Sequence, residues 1–277
     1  MEFTRRQWSY LMAAAALSPQ PSPSQELPVI DNPKGNFQFA KGSGPYSSGA
    51  VAHDGYEVVH VIFNPLPKLW DAFGIIERRM KSLGRPLHAL CGMELRIPKA
   101  LSIEAFNEFN EPYIERLKAW GTHVDGMNPV ARTNVATEVN PVPEPSVYGF
   151  SYTIPSDHKG KTFVVAGAGE LRSSKLDGSE IVSRGDTSTE GLRAKAKQVL
   201  SIMDRRLEVM GLTHAHVTQS NIYTIFNIAE LMKSTIMPAL GEAGRHGVRW
   251  HFARPPVLEI DYEMDMRGVR QEITLAG

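Results

Sequence analysis

A repeated alanine–arginine pair is the feature of this sequence with the clearest chemical potential. The triplet Val130-Ala131-Arg132 recurs as Phe252-Ala253-Arg254 in the second half of the chain. A guanidinium presents a rigid fork of N–H donors, which can form two parallel hydrogen bonds with a carboxylate. An arginine at a strand end can equally form a surface ion pair. Arg132 and Arg254 are therefore candidates for holding a small carboxylate.

Other residues of chemical interest form weaker patterns. Cys91 is the single cysteine, cannot form an intramolecular disulfide, and lies in an apolar run that favours a buried strand. His214 and His216 precede a strand, but no cysteine or carboxylate spacing around them matches a zinc site. The small residues 167–169 follow a strand with no helix directly behind them, unlike a dinucleotide-binding loop. We therefore expect neither a metal nor an organic cofactor.

The size and charge of the chain describe the protein that must position these residues. Its 277 residues exceed the usual size of one domain, so two compact domains are expected. Lys and Arg number 30, as do Asp and Glu, which gives no electrostatic reason to expect nucleic acid. No apolar run reaches the roughly 18 to 20 residues that span a bilayer, so no membrane span is predicted.

The first 26 residues have the layout of an export signal. Arg5 and Arg6 form a positive, twin-arginine start, a short alanine-rich apolar stretch covers 10–17, and a polar tail rich in proline and serine follows. This order is typical of a removable secretory segment. We predict an exported, periplasmic protein whose fold begins near residue 27; the alternative is a cytoplasmic protein with a polar tail.

An internal repeat organises the rest of the chain. The segment Arg78–Gly84, which reads RRMKSLG, recurs as Arg205–Gly211, RRLEVMG, in the same order relative to the alanine–arginine pairs. Repetition of this kind indicates two copies of one supersecondary unit. We place the units at 27–155 and 156–277, joined near the polar, breaker-rich segment 155–160.

Periodicity predicts the same elements in each copy. Apolar residues at three- and four-residue spacing predict helices at 67–83 and 188–210. Strands are expected at 87–97 and 214–226, followed by second helices at 102–120 and 228–240. Further strands bracket the helices, and a closing hairpin is expected from 258–266 into 269–275 through Arg267-Gly268. Each unit is then an α+β fold, a mixed sheet covered on one face by two helices.

This order of elements, with several local matches, resembles the Rid (YjgF-like) family of imine and enamine deaminases. Gly44-Pro45-Tyr46 is similar to the family's N-terminal motif, whose tyrosine lies in the site. The segment Phe106–Tyr113 is similar to the second-helix motif and puts Asn110 at the family's asparagine position. The family's substrate-binding arginine follows an alanine at the head of a late strand. The resemblance therefore implies tandem chorismate-mutase-like domains with Arg132 and Arg254 as carboxylate anchors.

The resemblance also implies the remaining site residues. Asn134 takes the position two residues beyond the arginine, where the family often has a cysteine, and we expect it to contact substrate. Glu272 takes the place of the glutamate on the last strand, which helps to position water. The first unit thus has tyrosine, asparagine and arginine, and the second has arginine and acid. The units are expected to complete one another's sites.

These residues suit hydrolysis of a small imino or enamine acid to a keto acid and ammonia, because such a substrate needs only an anchor, a placed water and a proton-exchanging carboxylate. One alternative is a chorismatase-like hydrolase or lyase of a cyclic carboxylate, favoured by a second basic residue beside the arginine. The other is a binding module for small carboxylates without catalysis. The family forms trimers with sites between subunits, so a homo-oligomer, a trimer of tandem chains, is expected.

Overall fold

A computed structural model describes residues 27–277 as an α+β fold of two mixed sheets with helices on their outer faces. The predicted export signal at 1–26 lies outside the described residues. Within residues 27–277, none of the helices combines the length and the apolar character that a membrane crossing requires.

The first sheet has seven strands in the order β1-β2-β3-β8-β12-β9-β10. Its strands are β1 (Val29–Asn32), β2 (Phe37–Ala40), β3 (Gly49–Ala52), β8 (Phe163–Gly169), β9 (Gln219–Tyr223), β10 (Arg249–His251) and β12 (Glu263–Gly268). The second sheet has six strands in the order β11-β6-β5-β7-β4-β13. Its strands are β4 (Tyr56–Phe63), β5 (Leu90–Ile97), β6 (Ala131–Thr137), β7 (Ser146–Pro155), β11 (Ala253–Arg254) and β13 (Gln271–Leu275).

Helices cover the outer face of each sheet, as the periodicity predicts. Helices α1 (Leu69–Ser82) and α2 (Ile103–Ala119) pack on the six-stranded sheet through an apolar cluster that includes Phe73 and Tyr113. Helix α3 (Thr189–Val209) packs on the seven-stranded sheet. Beside it runs a broken helical segment: α4 (Ala229–Leu231), one wider π-helical turn (Met232–Ile236) and α5 (Met237–Leu240).

Local sequence explains where the long helices begin and end. The hydroxyls of Ser102 and Ser188 accept hydrogen bonds from Ala105 and Gly191 backbone N–H groups, which caps α2 and α3. Helix α2 stops before Gly121, which has a φ of 69° that suits glycine. The predicted helix at 102–120 is therefore confirmed almost to the residue.

The closing hairpin was predicted wrongly. After Gly268 the chain leaves the seven-stranded sheet, and β13 pairs in parallel with β4 of the other sheet, with Glu272 opposite His60. A hairpin needs a free edge on its first strand, but β12 already has β8 on one side and β9 on the other. The last strand therefore takes the free edge of the six-stranded sheet.

The two halves of the chain share their sheets. Strands β1 to β3 precede the first repeat but belong to the seven-stranded sheet, which is otherwise built from the second half. Strands β11 and β13 make the reverse exchange. The inner faces of the sheets pack on each other through a small apolar cluster that includes Phe39, Cys91 and Val164. Burial raises the pKa of the Cys91 thiol, in agreement with the expected structural role.

Helix α2 is anchored by its cap, so replacing Ser102 by alanine should lower the free energy of unfolding by about 1 kcal/mol. Urea denaturation followed by circular dichroism measures this. Ser102→Asp keeps an acceptor for the Ala105 N–H and should stay within about 0.5 kcal/mol of the wild type. An equal loss in both variants would show that the cap is not the stabilising contact.

Candidate active site

Arg132 is a buried arginine on β6 and points toward α2. It is 2% exposed. The guanidinium carbon lies 4.8 Å from the ring centre of Tyr46, 4.8 Å from that of Tyr113 and 5.6 Å from that of Phe106. Aromatic faces stabilise a cation, but they offer no acceptor to its N–H groups. The charge is therefore enclosed without an ion pair among residues 27–277.

Most of the Arg132 fork has no partner. Its Nη2 donates to Asn110 Oδ1 at 2.7 Å, whereas Nε and Nη1 are buried and make no hydrogen bond among the described residues. Burial lowers the pKa of Arg132, with Tyr113, Tyr46 and Glu263 acting in the opposite direction. Buried donors without acceptors are costly and rare in proteins. A small anion would satisfy these groups.

Asn134 lies two residues along β6 and has the same property. Both its side-chain oxygen and its nitrogen are buried without a hydrogen-bond partner in the described part of the chain. Alternation along a strand places Arg132 and Asn134 on one face, while Thr133 points to the other sheet and bonds Asp265. The unsatisfied polar atoms of β6 are thus concentrated on the face of Arg132.

A loop from the first sheet closes over Arg132 and carries Tyr46. The backbone N–H of Ser47 donates to the Val130 carbonyl oxygen at 3.0 Å, and Asn128 Nδ2 donates to the Pro45 carbonyl oxygen at 2.8 Å. These bonds join the lead-in to β3 to the start of β6, so they tie the two sheets together at the point where Tyr46 covers the guanidinium.

Glu263 supplies a buried carboxyl group from the other sheet. It is the first residue of β12 and 5% exposed, and its side chain makes no hydrogen bond or ion pair within residues 27–277. Burial, reinforced by Asp265 and Glu170, raises its pKa well above the ordinary value, although the charges of Arg206 and Arg132 partly oppose the change. The neutral, protonated form of Glu263 is therefore favoured relative to that of an ordinary glutamic acid.

Gly167 makes room for Glu263. A Cβ atom at this position would collide with Glu263 Oε1. Arg206 on α3 reaches the same place, where its Nη1 donates to the carbonyl oxygens of Ala166 at 2.7 Å and Gly167 at 3.4 Å. Burial of the guanidinium lowers the pKa of Arg206 to about 10, against the opposing influence of Tyr46 and Glu263.

These side chains form one cluster at the junction of β6 with β8, which we call the two-arginine site. Its members are Tyr46, Asn110, Arg132, Asn134, Arg206 and Glu263. The cluster combines one buried guanidinium group, that of Arg132, and one partly buried, that of Arg206, with a carboxyl of raised pKa and an aromatic lining. Such a set can bind a carboxylate and exchange a proton with the molecule that carries it.

Four of the sequence-predicted residues, Tyr46, Asn110, Arg132 and Asn134, meet in this site, but Arg254 does not. Arg254 donates from Nε and Nη2 to Glu138 at 2.7 and 2.9 Å, in a bidentate ion pair beside a separate cleft of about 560 Å³. The reason is topological. In the six-stranded sheet, β6 runs parallel to β5. The corresponding strand of the seven-stranded sheet is β10, which runs parallel to β9. Arg254 lies instead on β11, which pairs with β6 itself.

Glu272 also lies away from Arg132. Because β13 crosses to the six-stranded sheet, its carboxylate approaches Arg267 at 3.4 Å, Arg249 at 3.6 Å and His60 at 3.8 Å. Sequence reasoning placed the acid of the second unit on the last strand of the chain. Strand β12 lies beside β9 in the seven-stranded sheet, as β7 lies beside β5 in the six-stranded sheet. The first residue of β12 is Glu263.

Glu263 and Arg206 were missed as site residues, although each left a signal. Charged Glu263, Asp265 and Arg267 alternate with methionines, which is the pattern of a strand with one polar and one apolar face. Arg206 is part of the repeated double arginine, whose counterpart Arg79 bonds the Tyr152 hydroxyl at 3.3 Å. Neither pattern alone says that the residue borders a ligand site.

A separate polar network joins the inner faces of the sheets. Asp265 accepts hydrogen bonds from Thr133 Oγ1 at 2.7 Å, Asn221 Nδ2 at 2.6 Å and the Tyr223 hydroxyl at 2.8 Å. Arg267 Nη1 lies 2.6 Å from Glu94 Oε1. Asn221 and Tyr223 lie on β9, beside β12, whereas the bonds to Thr133 and Glu94 cross to the six-stranded sheet. The two crossing bonds help to fix the position of β12, and so of Glu263, relative to β6.

The raised pKa of Glu263 should make the free energy of unfolding depend on pH. A carboxyl whose folded pKa lies above its unfolded value of 4.5 stabilises the fold less as the pH rises through the interval between the two. Glutamine does not titrate. The gain in free energy of unfolding of Glu263→Gln over the wild type should therefore be small near pH 4.5 and should grow toward about pH 8. Urea denaturation across this range measures it.

Glu77 supplies the control, because it lies on the exposed face of α1. Glu77→Gln should change the free energy of unfolding by the same small amount at every pH. A gain for Glu263→Gln that is constant or falls with pH would contradict a raised pKa at Glu263.

Comparison with known proteins shows which family the chain belongs to. The profile of the family described as 2-aminomuconate deaminase CnbZ matches residues 29–273. The chain is 36% identical over 250 residues to the 2-amino-5-chloromuconate deaminase of Comamonas testosteroni, a match that covers 89% of this chain and 98% of that protein. The span that the family profile matches includes every member of the two-arginine site.

Two solved structures are similar at low identity. A chorismatase aligns with a TM-score of 0.48 and 13% identity, over 87% of this chain and 78% of that chain. The YjgF gene product of E. coli aligns with a TM-score of 0.26 and 12% identity, over 40% of this chain and 81% of that chain. The match of the family profile to nearly all of the described residues is decisive: this chain belongs to the 2-aminomuconate deaminase CnbZ family, a family of deaminases.

Proposed function

We propose that the two-arginine site hydrolyses the enamine of an unsaturated 2-amino carboxylic acid, of the 2-aminomuconate class, to a 2-oxo acid and ammonia. The observation that carries the proposal is the pairing of an unfilled buried arginine fork on Arg132 with a carboxyl of raised pKa on Glu263. Membership of a deaminase family and similarity to the 2-amino-5-chloromuconate deaminase of Comamonas testosteroni support the same chemistry.

Arg132 holds the substrate carboxylate. Arg132 Nε and Nη1, which have no other partner among the described residues, can each donate to a carboxylate oxygen, while Asn110 accepts from Nη2 and fixes the plane of the guanidinium. The rings of Tyr46, Tyr113 and Phe106 keep water away from this ion pair. An ion pair shielded from water is stronger, and the substrate enters with a defined orientation.

Glu263 exchanges protons with the substrate. The neutral carboxyl donates its proton to a carbon of the enamine, and the electron pair of the carbon–carbon double bond forms the new C–H bond as nitrogen becomes an iminium. Water then forms a bond to the iminium carbon and gives a proton to the Glu263 carboxylate. The hydroxyl proton of the carbinolamine passes to nitrogen, the C–N bond breaks and the C=O bond forms. Ammonia leaves, and the 2-oxo acid remains. One water is consumed for each ammonia released.

A raised pKa suits this role because the first step requires an acid. An ordinary glutamic acid is ionised at neutral pH and could not protonate carbon. Burial of Glu263 among Asp265 and Glu170 favours its neutral form, and the nearby Arg132 and Arg206 stabilise the carboxylate that remains after the proton has left. The scheme requires no metal or organic cofactor.

The placement of Tyr46, Asn110 and Arg132 is compatible with the Rid resemblance, and we retain a relationship to that family as a hypothesis. It implies that a trimer of chains completes the assembly. A second candidate function is hydrolysis or elimination on a cyclic carboxylate. The presence of Arg206 as a second basic residue favours it, because such a substrate would also use two cations.

The proposal is tested by ammonia release from 2-aminomuconate generated in situ. The wild type should accelerate release, and Arg132→Met should lower kcat/KM by about a hundredfold or more, because the anchoring ion pair is lost. Glu263→Gln should lower kcat by about 10² to 10⁴-fold, the usual contribution of a general acid. The wild-type kcat should fall as the pH rises through the raised pKa of Glu263.

Glu77→Gln is the matched control and should retain wild-type rates. If Glu272→Gln abolishes turnover while Glu263→Gln does not, the acid lies on β13 and the assignment to Glu263 is wrong. Consumption of chorismate without ammonia release would support the cyclic-carboxylate alternative. Arginine-dependent binding of carboxylates with no turnover of either substrate would leave a binding module.

A further inference from the structure

Arg206 is a second cation of the site that the deamination scheme does not require. Arg206 is partly buried, and its two hydrogen-bond partners are neutral backbone oxygens, those of Ala166 and Gly167. No carboxylate forms an ion pair with it among residues 27–277. Two carbonyl groups satisfy part of one side of a five-donor fork, so this cation is compensated incompletely.

The same helix shows how a buried cation with a structural role is treated. Lys195, three turns earlier on α3, is fully buried and forms ion pairs with Asp261 and, at 3.9 Å, with Glu170. A buried charge normally has such a partner. Arg206 has none, and it borders Gly167, the residue against which Glu263 packs.

Arg132 and Arg206 approach the site from different sheets. Arg132 extends from β6 and Arg206 from α3, which covers the seven-stranded sheet. Tyr46 and Glu263 are common neighbours, since both influence the pKa of each arginine. Two guanidinium groups therefore have the same acid and the same aromatic ring as neighbours.

We infer that Arg206 binds the second carboxylate of a linear dicarboxylate whose first carboxylate is held by Arg132. The inference rests on the proposed function of this site and deepens it, because it assigns the residue that selects dicarboxylates over monocarboxylates. An open-chain acid with a charge at each end satisfies both forks. A monocarboxylate leaves Arg206 uncompensated, so it loses the second ion pair.

Unreactive ligands test this without turnover. trans,trans-Muconate and sorbate share the same six-carbon diene, and sorbate has a methyl group where muconate has its second carboxylate. Isothermal titration calorimetry gives the ratio of their affinities. The wild type should prefer muconate by about 30-fold or more, the effect of one buried ion pair. In Arg206→Met the ratio should fall to within about threefold of unity.

Arg205→Met is the matched control, because Arg205 precedes Arg206 on the same helix and makes no hydrogen bond or ion pair within residues 27–277. It should keep the wild-type ratio. Arg206→Lys, which retains a charge without the fork, should keep part of the preference, and circular dichroism confirms that each variant is folded.

A wild-type ratio that Arg206→Met leaves unchanged, or a wild type that binds muconate no better than sorbate, overturns the inference. The deamination proposal fails separately. If muconate preference depends on Arg206 but 2-aminomuconate is not turned over, the dicarboxylate site stands and the chemistry does not. If deamination occurs but the ratio is independent of Arg206, the reverse holds.

Discussion

The incomplete compensation of the Arg132 guanidinium is the constraint on which this site depends. A buried charge ordinarily has a carboxylate partner, and this protein supplies aromatic faces and one amide oxygen instead. Nε and Nη1 of Arg132 are left buried without an acceptor among the described residues, which destabilises the fold. The same donors favour binding of a substrate carboxylate, because they are already oriented and already removed from water and so need little reorganisation. The aromatic enclosure, the carboxyl of raised pKa and the second arginine all surround the place where a carboxylate would bind these donors.

The joining of the two sheets sets the position of Arg132 relative to Glu263. Arg132 comes from the six-stranded sheet and Glu263 from the seven-stranded one, so their relative position depends on how the sheets are joined. The loop of Tyr46 joins them at one point, and the hydrogen bonds of Asp265 and Arg267 join them along β12. His60 belongs to this inner network, and burial lowers its pKa to about 3, so it stays neutral there. In this network Arg267 pairs with Glu94 and Asp265 accepts three hydrogen bonds, in contrast to the unpartnered donors of Arg132.

Local elements and one half of the site were predictable from sequence, and the other half was not. The cap, the apolar stripe and the terminating glycine of α2 all lie within its own short segment of sequence, so Asn110 could be placed. Tyr46 and Arg132 likewise each lie in a short local motif. Glu263 and Arg206 depend on which strand lies beside which. The repeat of the alanine–arginine pair favoured Arg254, and the order of strands along the chain favoured Glu272, yet β11 and β13 both add to the other sheet. Edge pairing is decided by which sheet edges are free, a property of the folded whole.

The most direct test of this account is a crystal structure of the protein with bound trans,trans-muconate. The account predicts a carboxylate oxygen about 2.7 to 3.0 Å from Nε or Nη1 of Arg132, the distance of a charge-assisted hydrogen bond. It also predicts the diene beside Glu263 and the second carboxylate at Arg206. Muconate bound instead in the cleft beside Arg254, with the Arg132 fork still unoccupied, would contradict it.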